Sequence, residues 1–207
     1  LNKSNFFRNT LLVVSGTAVA QIFPIIFYPV LARIFSPAEF GLLAVITSLV
    51  PIVSVISSGA YEGGILISKS KQNSANLAIY IILRSLLVLS GFLTVIILFN
   101  SSITEILNEP LLKIWLYLVP IISLGIILFN ISNEWFVKYK YFSNLSLNKA
   151  LYTISNVLSK VALGFLSVIQ SGGLILGDLI GKVFMSTYVS YKLARLDSKY
   201  FKSVTRS

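Results

Sequence analysis

The chain alternates between long apolar blocks and short polar stretches. Six blocks of about twenty residues follow one another, at 10–32, 40–61, 77–99, 113–133, 150–169 and 173–192. A helix rises about 1.5 Å per residue, so a block of this length matches the roughly 30 Å hydrocarbon core of a bilayer. Stretches such as LLVLSGFLTVIILF at 86–99 do not alternate apolar and polar residues as the strands of a membrane barrel do. The pattern predicts an all-α, polytopic membrane bundle with six transmembrane helices.

Composition supports a membrane protein and narrows its chemistry. Hydrophobic residues make up 56% of the 207 residues and charged residues only 12%, which is typical of integral membrane proteins. The first block is too long for a cleaved signal peptide, and a second membrane block follows it directly, so we predict a true span. Cysteine and histidine are both absent, which removes thiolate nucleophiles, disulfides and imidazole ligands. We therefore expect a protein that is not an enzyme and that has no cofactor and no metal site, with an intramembrane acyltransferase or protease as the weaker alternative.

The stretch GDLIGK at 177–182 is not a nucleotide-binding loop. That motif needs four residues between its glycines and a Ser or Thr after the lysine, whereas here the gap is three and Val183 follows. The sequence therefore contains no ATP-binding motif.

Basic residues predict the orientation of the bundle. With the N-terminus in the cytoplasm, only Arg33 and Lys113 fall outside, and twelve basic residues fall inside: Lys3, Arg8, Lys69, Lys71, Lys138, Lys140, Lys149, Lys192, Arg195, Lys199, Lys202 and Arg206. This bias is what the positive-inside rule requires. We expect both termini and the 62–76 and 134–149 loops to be cytoplasmic. The net charge of +10 then reflects loops that face an anionic leaflet, not nucleic-acid binding.

Three basic residues, Arg84, Lys160 and Lys182, fall within predicted spans. A Lys or Arg at the centre of a membrane helix costs about 2.5 to 3.5 kcal/mol, so each must face protein or a water-filled cavity. They could be structural ion pairs, Asp178 with Lys182 at i, i+4 and Glu62 with Arg84. Even then, one aspartate does not neutralise both lysines near the midplane. The excess positive charge is suited to an anionic solute such as a polyphosphate or carboxylate.

The positions of the glycines and prolines predict where the helices contact one another and where they bend. Gly173, Gly177 and Gly181 recur every four residues and predict a close helix contact, with Asp178 and Lys182 on the adjacent face as part of a cavity wall. Prolines remove backbone hydrogen bonds and can bend helices. They occur in the first, second and fourth blocks, and bending is expected above all in the first, which has two: Pro24, Pro29, Pro51 and Pro120.

Two stretches carry a resemblance to a known family. The segment LARIFSPAEFGLLA at 31–44 resembles the end of the first span and the start of the second in polysaccharide-unit (O-antigen type) flippases of the multidrug, oligosaccharidyl-lipid and polysaccharide exporter superfamily. The matching residues are Arg33, Ser36, Pro37, Glu39, Phe40 and Gly41. The segment SGGLILGDLIGKV at 171–183 is similar to the family's glycine-rich sixth span.

The resemblance implies a transporter. Members usually have twelve to fourteen spans in two related bundles, so residues 1–207 are expected to be a single membrane domain, the N-terminal six-helix bundle of a longer protein, with a naturally short homologue left open. The full protein would flip an undecaprenyl-pyrophosphate-linked oligosaccharide across the bacterial cytoplasmic membrane by alternating access. Its partners would be this lipid-linked substrate, membrane lipids, and the polysaccharide polymerase and glycosyltransferase machinery.

The same resemblance implies roles for individual residues. Arg84, Lys160 and Lys182 would attract the pyrophosphate, and Asp178 or Glu62 would titrate if an ion gradient drives the cycle. Sugar hydroxyls would bind amide side chains that face the lumen: Gln21, Asn130, Asn133 and Asn156. Two alternatives remain, a drug or cation exporter of the same superfamily, which would favour acidic residues in the cavity, and a non-transporting membrane assembly protein.

Overall fold

The computed structural model describes residues 3–106, 108–166 and 172–204, and within these ranges the chain is all helical. The predicted all-α fold is confirmed. The described residues form nine α-helices: α1 (Lys3–Ile34), α2 (Pro37–Ser58), α3 (Gly64–Ile67), α4 (Lys71–Ile106), α5 (Leu112–Trp115), α6 (Val119–Lys138), α7 (Phe142–Phe165), α8 (Gly173–Leu196) and α9 (Ser198–Val204). Short 3₁₀ turns at Tyr61–Gly63 and Leu116–Leu118 precede α3 and α6.

Four of these helical segments are long and apolar enough to cross a membrane. They are Val13–Ile34, Pro37–Ser58, Lys71–Ile106 and Leu112–Lys138. The fifth and sixth predicted spans form α7 and α8, which have 24 residues each but are more polar. Serine, asparagine and lysine side chains recur along α7, and α8 contains the charges and glycines at 177–182. The six-span count therefore stays a prediction, whereas the four apolar helices are found where the sequence places them.

The junction between α1 and α2 shows why the SPAEFG stretch starts a helix. The Ser36 side chain accepts a hydrogen bond from the backbone N–H of Glu39, and the Glu39 carboxylate accepts one from the backbone N–H of Ser36 at 2.9 Å. This reciprocal arrangement is a capping box, and Pro37 fits the first helical turn, where its missing N–H costs nothing. The residues that carry the family resemblance thus fix the point at which the chain turns from α1 into α2.

The helices pack in an order different from their order along the chain. α1 lies along α7, α7 packs against α8, and α8 packs against α6. α6 in turn contacts α2 and α4, which also contact each other. The main apolar core lies among α2, α4 and α6 around Ile46, Ile81 and Ile122, all fully buried. A smaller cluster of Leu31, Phe35 and Leu174 joins α1 to α8.

Helix breaks follow the prolines only in part. Pro120 lies in the first turn of α6, directly after the 3₁₀ turn Leu116–Leu118. α1 remains one helix from Lys3 to Ile34 although it contains Pro24 and Pro29. Non-helical backbone occurs instead within α4, at Phe99 (φ −118°, ψ 17°), in a helix without proline. This interruption coincides with the predicted end of the third span at residue 99, although no proline or glycine marks it in the sequence.

Candidate functional site

Asp178 on α8 is the centre of a charged cluster inside the bundle. Its Oδ1 lies 2.7 Å from Nζ of Lys160 on α7, and its Oδ2 lies 2.7 Å from Nζ of Lys182 one turn further along α8. Asn156 on α7 donates from Nδ2 to both Oδ1 and the backbone carbonyl of Asp178, each at 3.1 Å. The structure therefore joins four residues that the sequence singled out, and Lys160 and Lys182 share one carboxylate.

The glycine stripe of α8 makes this cluster possible. A Cβ atom at Gly177 would lie 2.5 Å from Cα of Lys160, and one at Gly181 would overlap the backbone of Asn156. Only hydrogen fits at these two positions, so the backbones of α7 and α8 approach closely and the side chains of Lys160 and Asn156 reach Asp178. The predicted helix contact of the glycines is confirmed. The charges, however, lie at the same α7–α8 contact and not on a separate face.

Burial makes the balance of charge in the cluster important. The Asp178 side chain is 2% exposed, and those of Lys160 and Lys182 are 13% and 16% exposed. Charges buried to this extent interact strongly because little water screens them. Two ammonium groups and one carboxylate leave one unit of positive charge uncompensated, so the cluster is suited to a further anion.

Arg84 does not join this cluster. Its guanidinium donates to the backbone carbonyls of Ile56 and Ser57, at 3.2 and 2.5 Å, and lies over the ring of Tyr61. These carbonyls belong to the last turn of α2, where helical carbonyls lack intrahelical partners. The ion pair with Glu62, the alternative reading of the sequence, is not found between these two described side chains. Backbone carbonyls, which no side-chain pattern reveals, are the partners of Arg84.

Gly59 explains how Arg84 reaches the end of α2. It has a left-handed backbone (φ 67°), and a Cβ atom there would lie 2.9 Å from the Arg84 guanidinium. Glycine is the residue that combines this conformation with such a close approach.

The remaining predicted site residues lie elsewhere. Glu62 accepts a hydrogen bond from Ser58 at 3.0 Å, and Asn133 lies on α6, where its Oδ1 is buried without a partner among the described residues. Gln21 on α1 and Asn130 on α6 are exposed. The structure therefore brings together Lys160, Lys182, Asn156 and Asp178, and among the described residues no ion pair or hydrogen bond joins them to Arg84, Glu62 or Asn133.

A second buried carboxylate, Asp197, was not singled out in the sequence. It follows α8 and is 6% exposed. Its Oδ1 lies 2.8 Å from Nζ of Lys71 on α4, and its Oδ2 accepts hydrogen bonds from Trp135 on α6, at 2.8 Å, and from Tyr141 at 3.4 Å. We call these four residues the Asp197 network. Partners this far apart in sequence leave no periodic signal that could have pointed to Asp197.

Comparison with known proteins identifies the family of the chain. A family model described as "Polysaccharide biosynthesis protein" matches residues 6–203. The matched range contains both the Asp178 cluster and the Asp197 network. Neither a curated protein nor a solved structure matches the chain.

Proposed function

Since the chain belongs to the polysaccharide biosynthesis protein family, we propose that it acts as a membrane flippase for an undecaprenyl-pyrophosphate-linked oligosaccharide. Members of this family are generally transporters rather than enzymes. The substrate would move from the cytoplasmic to the periplasmic leaflet of a bacterial cytoplasmic membrane during synthesis of a surface polysaccharide. The polymerase and glycosyltransferase machinery of that synthesis would be its partners.

The observation that carries this proposal is the excess positive charge of the Asp178 cluster. Lys160 and Lys182 share the carboxylate of Asp178, so the three side chains together have a charge of +1. A diphosphate group offers several anionic oxygens that accept charge-assisted hydrogen bonds from ammonium groups. A cation exporter would need the opposite sign of charge at this place.

Alternating access gives the cluster a role in the transport cycle. In this mechanism a substrate site near the bilayer midplane is exposed to one side and then to the other as two bundles rock against each other. We propose that the diphosphate competes with Asp178 for the two ammonium groups and that Asn156 contributes a hydrogen bond. Asp178 is also the group in the cluster that could couple transport to an ion gradient, and Glu62 is a second carboxylate for that role.

The test replaces each lysine separately. Lys160→Met and Lys182→Met keep the aliphatic stem but remove the charge, and in each variant Asp178 retains one lysine partner. We therefore expect membrane abundance close to wild type but export of the lipid-linked oligosaccharide reduced about tenfold or more. Lys192→Met, on α8 but outside the cluster, is the matched control and should export normally. Full export by both cluster variants would refute the proposed role of the cluster.

A double variant separates a binding role from a structural one. Lys160→Met together with Lys182→Met leaves Asp178 buried without a counter-charge, and abundance should fall. Adding Asp178→Asn should restore abundance but not export. Restoration of both would mean that the lysines serve only to neutralise the aspartate.

A further inference from the structure

A polar cleft lies where α4 ends and α5 begins. Its volume is about 390 Å³, within the roughly 300 to 1,000 Å³ typical of small-molecule sites. The residues that line it are Ser101, Thr104, Glu105, Asn108, Pro110 and Lys113. α4 begins at Lys71, in the Asp197 network, and its 36 residues end at the cleft. On the proposed orientation the cleft therefore faces the periplasm.

Backbone hydrogen bonds hold the walls of the cleft in place. The N–H of Asn108 donates to the carbonyl of Glu105 at 3.0 Å, and the N–H of Lys113 donates to the carbonyl of Pro110 at 3.2 Å. The Asn100 side chain donates from Nδ2 to the carbonyl of Lys113 at 2.8 Å and so ties α5 to α4. A site that is already ordered loses little conformational entropy when a ligand binds.

The Asn100 side chain also supplies a free acceptor. Asn100 is 5% exposed, directly follows the helix break at Phe99, and its Oδ1 has no hydrogen-bond partner among the described residues. A buried acceptor without a partner costs about 1 to 3 kcal/mol. The same amide donates to the backbone carbonyl of Lys113, a lining residue, so Asn100 supports the wall of the cleft without lining it.

The lining groups select the class of ligand. Glu105 supplies acceptors, Lys113 supplies donors, and the Asn108 amide supplies both. Glu105 and Lys113 form no ion pair with each other, so both remain available to a ligand. One carboxylate and one ammonium give no net charge, which favours neither a free cation nor a free anion. Sugar hydroxyls, each a donor and an acceptor, match this mixture.

We propose that this cleft binds a saccharide unit of the translocated oligosaccharide on the periplasmic side of the membrane. The inference rests on the proposed flippase function. The cleft would hold the sugar portion after translocation, at a distance from the lysines that bind the diphosphate.

The experiment measures binding of the sugar alone. The probe is the glycan released by mild acid from the host's lipid-linked oligosaccharide, free of lipid and diphosphate, titrated calorimetrically into the full-length protein in nanodiscs. Asn108→Gly removes the amide and tolerates the left-handed backbone at this position (φ 53°), and Glu105→Ala removes the carboxylate. Each should weaken binding about fivefold or more. Ser102→Ala, on the same segment but outside the lining, should bind as the wild type does.

The outcomes separate this inference from the proposed function. Failure of the wild type to bind the glycan, or wild-type affinity in both cleft variants, would overturn the cleft proposal. Lys160→Met and Lys182→Met should bind the free glycan normally while their export falls. If those two variants export fully but the cleft variants lose glycan affinity, the cleft proposal stands and the role of the Asp178 cluster falls.

Discussion

Lys160 on α7 and Asp178 on α8 form an ion pair of 2.7 Å between Nζ and Oδ1, and the same aspartate holds Lys182 through its other oxygen. The cluster is therefore asymmetric. Loss of either lysine leaves one balanced pair, whereas loss of the aspartate leaves two buried ammonium groups side by side.

Replacing the aspartate should therefore be more damaging than replacing a lysine. We expect Asp178→Ala to lower the free energy of unfolding by about 3 kcal/mol, because it leaves buried charges without a partner. Lys160→Met and Lys182→Met should each lower the free energy of unfolding by less than half that amount. Thermal unfolding in detergent, followed by fluorescence-detected size exclusion, measures all three. Equal losses in the three variants would contradict the shared-carboxylate arrangement.

The glycine contact predicts a position-dependent effect of adding one methyl group. Gly181→Ala places Cβ against the backbone of Asn156, so α7 and α8 must separate. Overpacking of this kind costs about 1 to 3 kcal/mol. Gly91→Ala on α4 meets nothing within 4 Å and should be neutral or slightly stabilising, since alanine favours helix over glycine. The melting temperatures of the two variants measure the effect. An unchanged melting temperature in Gly181→Ala would mean that α7 and α8 are not in such close contact.

Arg84 should behave as a structural residue. Its guanidinium binds the terminal carbonyls of α2, so Arg84→Met should lower the free energy of unfolding by about 1 kcal/mol. Export per folded molecule should stay near the wild-type level. Lys69→Met, an exposed control outside the predicted spans, should change neither quantity. A large loss of export at normal abundance would instead show that Arg84 takes part in transport of the substrate.

The Asp197 network predicts that substitutions at two positions far apart in the sequence lower the free energy of unfolding non-additively. Asp197→Asn and Lys71→Met each break the ion pair and should each cost about 1 to 3 kcal/mol. The double variant should cost little more than one of them, because both remove the same interaction. Trp135, one of two tryptophans, donates to this carboxylate and reports the change as a shift of its fluorescence in a Trp115→Phe background. Fully additive losses would show that the pair contributes nothing.

The proposed orientation can be tested because residues 1–207 contain no cysteine. Single cysteines introduced by Lys69→Cys and Lys140→Cys should resist a membrane-impermeant maleimide in intact cells, whereas one introduced by Ser102→Cys should react. Lysis provides the control, after which all three should react. Labelling of the cysteine at position 140 in intact cells would show that this loop lies outside the cytoplasm and would contradict the proposed orientation.

The sequence predicted the long helices well because their apolar blocks are longer than those of ordinary core helices. It missed their ends where hydrogen bonding continues into polar sequence. The block predicted at 77–99 begins earlier, at Lys71, while its predicted end coincides with the non-helical backbone at Phe99, and the block at 113–133 extends to Lys138. The three-residue connection Tyr139–Tyr141 replaces most of the predicted 134–149 loop for the same reason.

Within the candidate site, local rules succeeded and long-range partners were harder to predict. The Asp178–Lys182 pair follows from i, i+4 spacing, and Lys160 follows from its depth in the neighbouring helix. The partners of Arg84 could not be predicted because its acceptors are backbone carbonyls at the end of a helix. Asp197 was missed because its partners come from α4, α6 and the start of α7.

The Asp197 network also sets an order of events during synthesis. Lys71 and Asp197 are 126 residues apart, and Trp135 and Tyr141 are 62 and 56 residues before the aspartate. The chain emerges from the ribosome starting at its N-terminus, so Lys71, Trp135 and Tyr141 are all made before the carboxylate that unites them. Until residue 197 emerges, α4, α6 and α7 lack this common partner. We therefore expect this end of the nascent bundle to gain the contacts of Asp197 only after α8 is complete.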